Sequence, residues 1–312
     1  MMCCWIYIKK KLVMISSDPF DGWGNKLIQF CFGRALGSEL NYYVTCRKLP
    51  YLVNSGHWNA VGERHLGPAV SIDHRGKYRH EVDIDELKAM TPCRFNIRSY
   101  LEHYPNLEKY RDDIRDDWCY IDNKYTVDNL HELHSHFKTY KSGKFIPVKI
   151  DNITDRDIVI SIRLGRDYLG QHRYRLLLGD YFKIILDQVD YDRVFITSQD
   201  PHNTILEDLY AYNPIFLDHI SALHTFNFVR LFDKIILSQS TYSWWAAYLS
   251  EASQVFFPIT KDGPWSYGKN QRRKWRDHNH DLMVNESRYS YVSYRDREII
   301  GDYDITRDYV GM

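Results

Sequence analysis

Lys234-Ile235-Ile236-Leu237-Ser238-Gln239-Ser240-Thr241-Tyr242-Ser243-Trp244-Trp245-Ala246-Ala247 carries the alternation that decides the fold. A short apolar run suited to a buried strand ends in a cluster of hydroxyls. A helix then spans about Ser243 to Glu251. The same unit recurs on both sides. Upstream, Ile158-Val159-Ile160-Ser161-Ile162 reads as a buried strand, Tyr181 to Val189 as an amphipathic helix, and Arg193 to Ser198 as the next strand. A helix over His202 to Tyr210 follows, then a short Ile215-Phe216-Leu217 strand. Ala222, Leu223, Phe226, Val229 and Phe232 mark a further helix. Downstream, Val255-Phe256-Phe257-Pro258 closes the series. Strands alternating with helices at this spacing predict an α/β protein with a parallel, doubly wound sheet.

The start of the chain repeats the theme once. Leu12 to Ser16 is a strand candidate, Asp18 to Gly24 a turn-rich loop, and Leu27, Ile28, Cys31, Phe32, Ala35 and Leu36 recur with helical spacing. From about Tyr42 to Gly143 the periodicity is weak, and Asp112, Asp113, Asp116 and Asp117 read as a solvated helix face. These shifts suggest an N-terminal α/β domain over 1–150, a second Rossmann-like domain over 151–265 and an extension over 266–312. That extension reads as a returning helix or a partly disordered tail.

The 312 residues (37.3 kDa) are 44% hydrophobic and 26% charged, which is ample for a packed core and excludes wholesale disorder. Lys and Arg (41) balance Asp and Glu (41), which argues against a nucleic-acid binder. A neutral chain still has room for a local basic site. The six cysteines form no Cys-x-x-Cys pair and read as buried free thiols in a reducing compartment. The opening MMCCWIYIKKK has about eight apolar residues before its lysines, too few to span a bilayer. A soluble, cytoplasmic protein is expected, with peripheral membrane association left open.

Ligands of open α/β sheets bind beyond the carboxyl ends of the strands. Three such ends carry polar groups here. Arg163, Arg166 and Asp167 follow the first strand of the series, Asp200 follows the second, and Ser240, Thr241 and Ser243 open the Trp244-Trp245 helix. Hydroxyls and free amides at a helix N-terminus favour an anion, and arginine can grip phosphate oxygens in pairs. Together they describe a diphosphate pocket. The plain alternative is that the three hydroxyls only cap the helix. Gly22-x-Gly24 fits half of a dinucleotide fingerprint, but Leu27 stands at the third glycine, and no P-loop is present. The Asp-x-Asp pairs occur at the frequency expected by chance, so no metal site is expected. His131, His134 and His136 read as a polar helix or loop face.

Asp21-Gly22-Trp23-Gly24-Asn25-Lys26-Leu27-Ile28-Gln29-Phe30-Cys31-Phe32-Gly33-Arg34-Ala35-Leu36 resembles the Gly-Leu-Gly-Asn-Gln opening of the α-1,2-fucosyltransferase family. Ser161 to Tyr168 is similar to its His-x-Arg-Arg-Gly-Asp-Tyr motif, and Ser238 to Ala247 to its Asn-Ser-(Ser/Thr)-Phe-Ser-Trp-Trp segment. Thr197-Ser198-Gln199-Asp200-Pro201 resembles its Ser-Asp-Asp-Pro stretch. The resemblance implies a GT-B architecture of two Rossmann-like domains around a cleft. It further implies an inverting transferase that uses GDP-fucose and a glycan acceptor, with no cofactor or metal. Carried onto this chain, it makes Gly22, Gly24, Asn25, Arg163, Arg166, Asp200, Ser240, Thr241 and Ser243 the donor-binding set. Arg163 would be the catalytic cation, and Asp167 or His172 the general base. Two positions depart from the pattern: Ser161 stands where the family has His, and Leu164 where it has a second Arg. Those departures keep two alternatives open, a same-fold transferase using another nucleotide sugar and an inactive sugar- or nucleotide-binding protein.

Overall fold

Residues 14–17, 22–40, 43–46, 49, 52, 69–73, 82–90, 94–99, 101, 103–120, 130–164, 179–218, 220–259, 282–293 and 298–301 are described by a computed structural model. Strand β1 (Met14–Ser17) leads through the glycine loop into helix α1 (Trp23–Leu40). Leu27, Ile28, Cys31, Phe32, Ala35 and Leu36 are all buried, as the helical spacing required. Strand β2 (Tyr43–Cys46), strand β3 (Ala69–Asp73), helix α2 (Ile84–Ala89) and strand β4 (Arg94–Arg98) complete a parallel four-stranded sheet in the order β2-β1-β4-β3. These elements lie in the stretch of weak periodicity. In β3, Val70, Ser71 and Ile72 run half-buried, exposed and buried, an alternation too brief to stand out from sequence. Asp112, Asp113, Asp116 and Asp117 lie exposed on a helical segment over 111–118, the solvated face anticipated.

The second sheet holds nine strands in the order β13-β12-β11-β10-β7-β8-β9-β5-β6. They are β5 (Phe137–Lys141), β6 (Lys144–Pro147), β7 (Ile158–Ile162), β8 (Val194–Ser198), β9 (Ile215–Leu217), β10 (Lys234–Leu237), β11 (Gln254–Ile259), β12 (Tyr289–Ser293) and β13 (Glu298–Gly301). The central run from β12 to β9 is parallel, and β13 and the β5–β6 hairpin close the two edges antiparallel. Helices α3 (Gly179–Leu186), α4 (Ala222–Val229) and α5 (Thr241–Tyr248) cross between strands. All five residues of β7 are buried, as expected for a parallel strand covered on both faces. Alternate residues divide between two cores. Val159, Phe195, Ile235 and Leu237 face the one that includes α1, α4 and α5, and Ile158, Ile160, Ile196 and Ile236 face the one that includes α3. Two Rossmann-like α/β units around a cleft, the GT-B arrangement, is the fold class expected from sequence.

Three details correct the sequence reading. The β5–β6 hairpin lies within 1–150 but hydrogen-bonds to β9, so it belongs to the second sheet. Within 266–312 the described residues form β12 and β13, sheet strands where a helix or a tail was anticipated. β12 is paired on both sides and buried at all positions but Ser290, yet its Tyr-Ser-Tyr-Val-Ser sequence lacks the aliphatic run that marks a buried strand. The helix over His202 to Tyr210 is a 3-10 run, Thr204–Tyr212, capped by Asn203 and ended by Asn213 in the left-handed region (φ 48°).

The two units are pinned together. Arg115 Nη2 donates to both Glu286 oxygens at 2.9 Å, and its Nε donates to Tyr248 O at 3.0 Å. The Tyr104 and Tyr248 hydroxyls lie 3.0 Å apart. Cys31 and Cys119 are buried thiols, not disulfide-bonded, with sulfurs 3.4 Å apart in a hydrogen bond; Cys3, Cys4 and Cys93 lie outside the described residues. Among the described residues no helix is long and apolar enough to cross a membrane.

Candidate functional site

Strand order runs β7-β8-β9 in one direction and β10-β11-β12 in the other, so the topological switch point lies between β7 and β10. Crevices at such points are where open α/β sheets take ligands. A cavity of about 440 Å³ opens there. Arg163, just beyond β7, lines it, and so do Ser240, Thr241 and Ser243 after β10 and Gly22, Gly24 and Asn25 from the far unit. Seven of the residues singled out in the sequence are thus brought to one place. Asp200 is not among the lining residues; its Oδ2 accepts from Asn203 Nδ2 at 3.1 Å. Arg166, Asp167 and His172 lie outside the described residues.

The hydroxyls divide their work. Ser240 is the N-cap of α5, its Oγ accepting from Ser243 N at 3.5 Å. Ser243 Oγ lies 2.9 Å from Ser161 Oγ and donates to Ser161 O at 3.3 Å, tying α5 to the end of β7. Thr241 Oγ1 donates to Asn25 Oδ1 at 2.9 Å, joining residues from opposite units. Capping therefore accounts for Ser240. Thr241 and Ser243 act instead as struts. The buried hydroxyl of Thr197, at the end of β8, has no hydrogen-bond partner among the described residues and lines the cavity. The Arg163 amide donates to Ser238 Oγ at 3.3 Å, which fixes the backbone from which its guanidinium projects.

Gly24 explains how two helix termini come so close. A Cβ built there would lie 2.5 Å from Thr241 C and from Tyr242 N, within the backbone of the first turn of α5. Only glycine permits that approach. The N-termini of α1 and α5 therefore converge on the same cavity, and neither has an acidic residue in its first turn. Each N-terminus carries about half a positive charge from its aligned peptide dipoles. Among the described lining residues there is no carboxylate and no histidine, and Arg163 is the cation. Burial raises the Tyr242 phenol above its ordinary value, so that side chain stays neutral and donates to Ala222 O. Such a lining favours an anion over a cation.

Several lining residues were missed. Thr197 and Ser198 lie at a strand end, a signal that could have been followed. Trp23, Ile220, Ala222, Thr225 and Tyr242 carry no local mark of a site. His134 and His136 belong to the 3-10 run Leu130–His136 and bond to the carbonyls of Ile150 and Asp218, in keeping with a polar face.

No protein-family model matches the chain, and no curated protein matches it. Solved structures do. A FUT1 variant of Arabidopsis thaliana in complex with GDP is 10% identical, with a TM-score of 0.46 over 83% of this chain and 73% of that one. NodZ α-1,6-fucosyltransferase soaked with GDP-fucose is 11% identical, with a TM-score of 0.46 over 78% of this chain and 94% of that one. A family 9 glycosyltransferase from Veillonella parvula is 12% identical, with a TM-score of 0.46 over 91% of this chain and 86% of that one.

Proposed function

We propose that the chain is an inverting glycosyltransferase that moves fucose from GDP-fucose to a hydroxyl of a glycan acceptor. The observation that carries this is the convergence of two helix N-termini and Arg163 on a switch-point cavity without a described carboxylate. Such an array suits a diphosphate leaving group. The choice of guanine and fucose rests on the motif resemblance at Asp21–Leu36 and Ser238–Ala247.

In this mechanism the acceptor oxygen attacks the anomeric carbon from the face opposite the diphosphate. The carbon–oxygen bond to the β-phosphate breaks, and its electron pair leaves with GDP. Arg163 and the uncapped amides at the start of α5 stabilise that growing charge as a preorganised donor array. The acceptor proton passes to a base, a role we give to Asp167 or His172. Arg163 and the helix termini carry the leaving-group work, so no metal is required. Arg166 adds charge to the same loop.

A second reading is a nucleotide-sugar-binding protein without turnover. It is favoured by Ser161, whose hydroxyl is engaged with Ser243, and by Leu164, which is 1% exposed in the α3-side core. A thermal-shift panel of GDP, UDP, CMP and NAD, followed by donor hydrolysis and transfer assays, tests both. Stabilisation by GDP with turnover supports the transferase. Stabilisation without turnover supports the binding protein, and stabilisation by UDP or CMP alone replaces the donor.

A further inference from the structure

The cavity has two unlike walls, and the contacts among their residues keep them separate. One wall is the hydroxyl and amide network of Ser161, Ser240, Ser243, Thr241 and Asn25, with Arg163 above it. The other is mostly apolar, and its threonine, Thr225, donates its hydroxyl to Ser221 O at 3.1 Å. The Trp23 indole meets Phe226 edge-on at 6.5 Å between centroids, and Phe226 meets Tyr242 edge-on at 5.4 Å. Tyr242 then closes on Ala222 through its hydroxyl, and Ile220 lies in the same lining. Trp23 is half-buried, and its indole nitrogen is turned inward, out of reach of solvent. What the ring shows to the cavity is therefore carbon.

The position of that carbon surface matters. Gly24, the next residue, abuts Tyr242 N in the first turn of α5, where the anion is expected to sit. A group stacked on Trp23 lies beside the phosphate seat. In a nucleotide sugar, the sugar ring is bonded directly to the terminal phosphate, whereas the base is separated from it by a ribose and a second phosphate. We propose that Trp23 is the platform for the donor's sugar ring, and that the wall it forms with Ile220 and Ala222 selects a ring bearing a methyl over one bearing a hydroxymethyl. This rests on the donor reading above. A hydroxyl pressed against carbon loses its hydrogen bonds to water without replacement, whereas a methyl gains from leaving water.

GDP-L-galactose differs from GDP-L-fucose only by a hydroxyl on C6, so the pair isolates that contact. Titration calorimetry with GDP, GDP-L-fucose and GDP-L-galactose is run on the wild type, Trp23→Ala and Trp23→Phe, each checked by melting temperature. The wild type is expected to bind GDP-L-fucose roughly tenfold more tightly than GDP-L-galactose, a single hydroxyl or methyl contact being worth about that factor. Trp23→Ala should erase the preference while GDP affinity stays within about threefold, less than half the logarithm of that preference. Trp23→Phe, which keeps an aromatic face against Phe226, should restore most of it even if the Ala variant does not fold. Three results overturn the inference with the donor reading intact: no preference in the wild type, a preference untouched in the variants, or GDP affinity falling in step with that of the sugar nucleotides. A wild type that binds none of the three overturns the donor reading itself, and this inference with it.

Discussion

In the proposed mechanism Arg163 is the residue on which the chemistry turns. Its backbone amide is held by Ser238 Oγ, and its side chain enters a cavity whose other described lining residues carry no formal charge. Lysine would keep the charge but lose the flat, paired donors. Arg163→Lys is expected to lower turnover by roughly two to three orders of magnitude, as loss of a preorganised oxyanion donor does, with a much smaller loss of GDP affinity. Measuring turnover and melting temperature on the same variant separates this from a structural ion pair, which would cost stability and leave turnover near normal. Thr241 makes a subtler case. Its hydroxyl proton goes to Asn25 Oδ1, so its contribution is to aim the Asn25 amide. Thr241→Val should cost about 1 kcal/mol of stability and weaken GDP binding, whereas Thr241→Ser should preserve both. A Val variant with unchanged GDP affinity would show that Asn25 needs no strut.

At the scale of elements, the decisive contact is α1 against α5. Gly24→Ala drives a methyl into backbone, which no rotamer change can relieve, and overpacking of this kind costs about 1–3 kcal/mol. Nucleotide affinity should fall with stability, because the two N-termini are forced apart. Calorimetry of the folded variant showing normal GDP affinity would place the anion elsewhere. The other end of α1 is held by Glu39, whose carboxylate meets Lys88 at 2.7 Å and also Lys109 and the Tyr110 hydroxyl. Hydrogen bonds from Lys109, Lys88 and Tyr110 pull its pKa from 4.5 to about 2. A carboxyl with a depressed folded-state pKa favours the folded state fully above its unfolded value. That contribution disappears as pH falls from 4.5 towards 2. Denaturant titrations at pH 6, 4 and 3 should therefore show a steeper loss for the wild type than for Glu39→Gln. Parallel losses would remove Glu39 from the account.

For the whole molecule, the question is what keeps a cleft site assembled from two units. Arg115 bridges them through Glu286 and the last carbonyl of α5, and within the second unit Arg288 braces the same end of α5 by bonds to Tyr248 O at 3.1 Å and Ser250 O at 2.8 Å. Arg115→Ala leaves Glu286 with Arg288 alone and should cost about 2 kcal/mol, the range of a hydrogen bond to a charged group. Loss of donor binding before global unfolding would mark the junction as part of the site's support. Turnover should be indifferent to EDTA, since fixed protein charge is assigned the leaving-group work. Activity abolished by chelator and restored by Mn²⁺ would require a different mechanism.

Periodicity is a local property, and what it governs was legible in the chain. Leu27 to Leu36 announced α1, the apolar runs at 158–162, 194–198 and 234–237 announced the parallel strands, and Arg163 and Ser240 to Ser243 stood at strand ends, where ligands bind. The sheet edges were not legible. β6 and β13 bury too little to show a pattern, β5 buries one residue fully, and the buried β12 is built of Tyr and Ser rather than an aliphatic run, so only pairing with a distant neighbour makes them strands. The site itself divides the same way. Its residue types on the second sheet followed from the sequence, but the roles of Thr241, Ser243 and Trp23 did not. Those roles come from tertiary contacts, such as the Ser243–Ser161 bonds between α5 and β7 and the Thr241–Asn25 bond between residues 216 apart. No spacing rule reaches that far, because such a contact is set by how two packed units meet, and here a missing side chain at Gly24 sets it.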